Sequence, residues 1–89
     1  MIPVYGFLEG DTLGILLLLD ETDSIADVAE KLQRSSRLRV AHRDGMRVIH
    51  HGSVLDPRLR VTETRIAPLS RIDVVASVDR FLAHPEGPP

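Results

Sequence analysis

From Leu13 to Asp20 the chain reads LGILLLLD, which as a β-strand is apolar on both faces. Ile15, Leu17 and Leu19 point one way and Leu16 and Leu18 the other. Upstream, IPVYGFLE favours extended backbone, and Gly10-Asp11-Thr12 is a turn signal between two apolar runs. Residues 3–9 and 13–20 are therefore predicted to form a β-hairpin. The period then changes. Ile25, Val28, Ala29 and Leu32 recur at helical spacing, and Ser24 with Asp27 fits a capping box ahead of them. The helix should end near Ser35, with Asp27 and Lys31 paired one turn apart on its exposed side. Residues 36–45 read as loop, 46–50 as a third strand, and His51-Gly52 as a turn. A short strand follows in VLDP, stopped by Asp56-Pro57. The next segment is irregular, with one helical turn near Thr62 to Arg65, and residues 71–77 form the last strand. This order predicts an α+β roll, one mixed sheet of four to five strands packed on one helix. Residues 1–78 make the folded domain, and 79–89, rich in Pro and Gly, a flexible tail.

Composition narrows the function classes. The 89 residues suffice for one small core, and 43% hydrophobic with 27% charged residues is ordinary for a globular chain. A net charge of −2 and 3% aromatic content give no footing for nucleic acid or anionic membrane. No apolar run approaches the roughly 18 to 20 residues that span a bilayer. The opening MIPVYGF lacks the basic and apolar regions of a secretory signal, so a cytoplasmic location is expected.

Catalytic and metal chemistry find few candidates. There is no cysteine, and no serine sits at a strand-to-helix elbow. His50 and His51 are adjacent at a strand end, which should send their rings to opposite faces. A diiron bundle needs Glu-x-x-His pairs. Here Glu9, Glu21, Glu30, Glu63 and Glu86 are followed at that spacing by Thr12, Ser24, Gln33, Ile66 and Pro89. The chain is therefore expected to hold no catalytic residue, cofactor or metal. Arg34, Arg37, Arg39, Arg43 and Arg47 crowd one span and suit either a carboxylate-bearing partner or a solvated loop.

The element order, with SIADVAEKL as its helix and VIHHGSVLDPRLRVTETRIAPLSRIDVV after it, resembles the ubiquitin-like β-grasp fold over residues 2–76. Leu55, Val61, Ile66, Ile72 and Val74 fall at its core positions. More narrowly, PVYGFLEGDTLGILLLLDETDSIADVAEKL, RVAHRDGMRV and LDPRLRVTETRIAPLSRIDVV resemble the small B (γ) subunit of bacterial multicomponent toluene and o-xylene monooxygenase hydroxylases. That resemblance implies a non-catalytic chain docked on a large diiron subunit and its companion, within a complex that hydroxylates aromatic or alkene hydrocarbons. The diiron centre would lie in the large subunit.

In the register of that fold, Tyr5, Phe7, Ile15, Leu17 and Leu19 should face the helix together with Val48, Ile72 and Val74. The opposite face should show Val4, Leu8, Leu16, Leu18, Ile49 and Val75, a contiguous apolar patch of the kind that marks a binding surface. Those six residues, with Arg39, Arg43 and Arg47, are the expected partner interface. The competing accounts are a slip of one residue, which exchanges the faces, a tail folded over the patch, or self-association. A free ubiquitin-like adaptor is the alternative function. A covalent modifier needs a C-terminal Gly-Gly, and this chain ends in EGPP, so conjugation is not expected.

Overall fold

The structure, a computed structural model, describes residues 1–82. The chain runs β1 (Ile2–Leu8), β2 (Gly14–Leu19), α1 (Ile25–Ser35), β3 (Arg47–His50), β4 (Ser53–Val54), a 3-10 turn (Val61–Glu63), β5 (Arg71–Val75) and α2 (Val78–Leu82). The strands form one mixed sheet in the order β2-β1-β5-β3-β4. Only the central pair, β1 with β5, is parallel; the other pairs are antiparallel. This is the β-grasp arrangement, with α1 packed across one face of the sheet.

The start of α1 follows from its cap. The Ser24 hydroxyl accepts from the Asp27 amide, and the Asp27 carboxylate accepts from the Ser24 amide, both at 3.0 Å. Because Asp27 is occupied there, Lys31 pairs with Asp23 instead, so the expected Asp27–Lys31 pair does not form. Ile25, Val28, Ala29 and Leu32 deliver the apolar face of the helix to Val4, Leu8, Leu17, Leu19, Val48, Ile72 and Val74. Val61 and Ile66 close the core, and Leu55 packs against it half-buried.

The first strand corrects the expected register. Val4 and Leu8 are buried in the core, not on the outer face, and Tyr5 is 45% exposed on the side away from α1. Phe7 shares that outer side, because it lies two residues on and pairs with Gly14. The physical reason sits between them at Gly6. A Cβ there would stand 2.9 Å from the Leu32 Cδ1 atom, so α1 crosses β1 where no side chain intervenes. That crossing turns the even-numbered residues inward, and Val4 then sits opposite Leu17 in the ladder. Gly6→Ala is accordingly expected to cost about 1–3 kcal/mol by overpacking, read as a lower urea midpoint at unchanged slope.

At the other end, β5 stops at Val75 and residues 78–82 are helical, so the expected tail starts inside α2. The remainder of that tail, 83–89, with the EGPP on which the conjugation expectation rests, lies outside the described residues.

Candidate docking face

The outer face of the sheet divides into three parts. At the β2–β1 side, Leu16 and Leu18 are 57% and 51% exposed and stand directly opposite Tyr5 and Pro3. Phe7 lies over Gly14, where an added Cβ would meet its ring at 2.7 Å. The Arg71 guanidinium stacks on the same ring at 4.1 Å from its centroid. In the middle, Arg71 also pairs with Asp73 at 3.0 Å, which closes the apolar strip on that side. Beyond this polar seam, Ile49 and Val75 point outward by register but are 2% and 3% exposed, so they offer no surface. They lie on β3 and β5, which have neighbours on both sides. β2 is an edge strand with a neighbour on one side only.

Of the six apolar positions expected on this face, Leu16 and Leu18 alone form an exposed pair, and Tyr5 joins them. Tyr5 was hidden because both alternations of β1 are apolar, so the period-2 pattern could not choose a face. The signal that could have found it is Gly6, whose missing side chain suits the close helix approach.

The arginines separate in a similar way. Arg39 grips Asp11 with two parallel hydrogen bonds, at 3.0 Å from Nε and 2.9 Å from Nη2. This holds the Asp11 carboxyl down to about 2. Arg43 donates to Glu9 at 2.9 Å. Its backbone is clasped by the buried Gln33 amide, which accepts from the Arg43 N–H at 2.8 Å and donates to its carbonyl at 3.0 Å. Both arginines thus tie the loop after α1 to the β1–β2 hairpin. Arg47, on β3, is half-buried with an Nε that finds no hydrogen-bond partner.

His50 and His51 also depart from expectation. Instead of diverging, their rings lie 4.2 Å apart at 56°. His51 leaves the strand in the left-handed region, φ 51°, which breaks the alternation that would have separated them. Among the described residues no group of three His, Cys, Asp or Glu side chains is placed to hold a metal ion. The donors present do not fit a diiron centre. No described helix is long and apolar enough to cross a membrane.

His50 is buried with Nε2 unpartnered, and its pKa lies below the ordinary 6.5, first through burial and then through the neighbouring His51. A lowered folded pKa means that the unfolded chain binds the proton more readily, so stability falls as pH drops below about 6.5. His42 works in the opposite sense. Its Nε2 lies 2.7 Å from the Glu30 carboxylate, which raises its pKa and adds stability that is lost as pH rises through that value. His50→Leu is expected to flatten the decline in melting temperature between pH 7 and pH 5. An unchanged decline would remove His50 as its source.

Comparison with known proteins agrees with this architecture. The family model for toluene-4-monooxygenase system protein B matches residues 1–75. A chain of a toluene 4-monooxygenase complex bound to the inhibitor 4-bromobenzoate superposes with a TM-score of 0.76 at 37% identity. That match covers 83% of this chain and 95% of the other. Two more distant matches share the fold. One is a structure described as molecular mimicry of SUMO that promotes DNA repair, with a TM-score of 0.70 at 16% identity, covering 83% and 89%. The other is a ubiquitin-like domain from Arabidopsis thaliana solved by NMR, with a TM-score of 0.68 at 20% identity, covering 89% and 81%. No curated protein matches the chain.

Proposed function

The chain belongs to the toluene-4-monooxygenase system protein B family, and on that premise we propose that it is a non-catalytic structural subunit of a diiron multicomponent monooxygenase hydroxylase. It docks on the large catalytic subunit, beside a companion subunit, through the outer face of its sheet. The iron and the hydrocarbon pocket belong to the large subunit, and the assembly works in the cytoplasm. The observation that carries this reading is the strip of Leu16, Leu18 and Tyr5, each 45% or more exposed, side by side on a strand pair whose other face is a finished core. A contiguous exposed apolar strip of this kind is costly in water and is relieved by burial against a partner.

Arg39 and Arg43, which pair within the chain, shape the hairpin end of the molecule instead of reaching for a partner.

The test is co-expression of the tagged chain with the genes that flank its own, followed by size exclusion. Stoichiometric large subunits with bound iron are expected in the same peak. A lone monodisperse monomer would overturn the reading and favour a free ubiquitin-like adaptor.

A further inference from the structure

The two edges of the sheet are treated differently. On one side the edge strand β4 has two residues, Ser53 and Val54, and is followed by Asp56-Pro57, so it offers almost no backbone to pair with. On the other, β2 has six residues, GILLLL, without charge, proline or bulge. Edges of this length are ordinarily blunted by such features, because unpaired N–H and C=O groups recruit another strand.

The direction of the free groups follows from β1. The Tyr5 amide donates to the Ser70 carbonyl at 2.8 Å, and the Pro3 carbonyl accepts from the Leu69 amide at 2.6 Å. The Glu9 amide likewise donates to the Val74 carbonyl at 2.9 Å. The odd-numbered residues of β1 therefore turn their backbone groups toward the β5 side, and the even-numbered ones toward β2. Val4 is opposite Leu17 and Gly6 opposite Ile15, so Ile15, Leu17 and Leu19 use their backbone groups inward, on β1. Gly14, Leu16 and Leu18 are left with N–H and C=O groups aimed out of the sheet. These are the residues whose side chains lie on the exposed outer face.

We propose, resting on the subunit reading above, that an extended segment of the large hydroxylase subunit adds to β2 as a sixth strand and continues over the Leu16, Leu18 and Tyr5 strip. A second copy of this chain is a poorer occupant for a geometric reason. Two copies joined β2 to β2 extend the sheet in its own plane and leave both leucine strips in water. A larger partner can cover the edge with one segment and the face with its neighbours. Backbone pairing then supplies the register, and the leucines supply the apolar contact.

Hydrogen exchange on the native chain tests this, alone and within the purified hydroxylase. The Leu16 and Leu18 amides should exchange quickly in the free chain and at least tenfold more slowly in the complex. In parallel, Leu16→Pro removes an outward donor without touching the β1 ladder, while Leu16→Ala shortens the side chain alone. The proline variant should assemble at least tenfold more weakly than the alanine variant. A chain that joins the hydroxylase with both amides unprotected would overturn strand addition and leave the subunit reading standing. A chain that never joins would overturn the subunit reading itself. Protection that grows with the concentration of the free chain would assign the edge to a second copy, against the proposal.

Discussion

Leu17→Asp is expected to leave the chain unfolded at 25 °C. Leu17 is 6% exposed, faces α1 and stands opposite Val4 in the ladder. Losing its side chain alone costs about 2–5 kcal/mol, and a carboxylate left in its place without a partner adds several more. That sum competes with the whole stability of a small domain, roughly 5–15 kcal/mol. Far-UV circular dichroism and a urea titration would read it. Leu16→Asp, one residue along and more than half exposed, should cost about 1 kcal/mol or less. If both variants unfold, the assignment of faces on β2 is wrong.

The double variant Leu16→Asp with Leu18→Asp should keep the fold and lose the hydroxylase. Burying both leucines against a partner contributes about 3 kcal/mol, which corresponds to more than a hundredfold in affinity, and two carboxylates at the contact widen the loss. Co-purification and size exclusion measure it, with circular dichroism confirming the fold. A folded double variant that still recovers stoichiometric large subunit would remove this face as the docking surface. Tyr5→Ser offers an independent approach from β1, since Tyr5 stands directly opposite Leu16.

Much of this molecule could be read from short windows of sequence. The cap at Ser24, the helical spacing from Ile25 to Leu32 and the turn at Gly10-Asp11-Thr12 each act within a dozen residues. Such signals set element type and bounds without help from distant contacts. The lack of Glu-x-x-His and of cysteine is likewise a property of the sequence alone. On β2 the inward set of Ile15, Leu17 and Leu19 came from the register of the β-grasp fold that the chain resembles, since the run itself is apolar on both faces.

What only the tertiary structure decided depends on residues far apart in the chain. The face of β1 hinged on Gly6 meeting Leu32 of the helix, since Val4 with Leu8 and Tyr5 with Phe7 are equally apolar alternations. Which arginines remain free hinged on Asp11 and Glu9 of the hairpin reaching Arg39 and Arg43. Whether an outward apolar residue is exposed hinged on what the folded chain lays around it, since Ile49 and Val75 are buried while Leu16, Leu18 and Tyr5 stay open on the same face of the sheet. Local sequence determines where the chain extends, coils and turns, because those preferences are settled between near neighbours. Side-chain pairing and burial are settled by long-range packing, and a period-2 pattern that is apolar on both faces carries no information about which face the helix will cover.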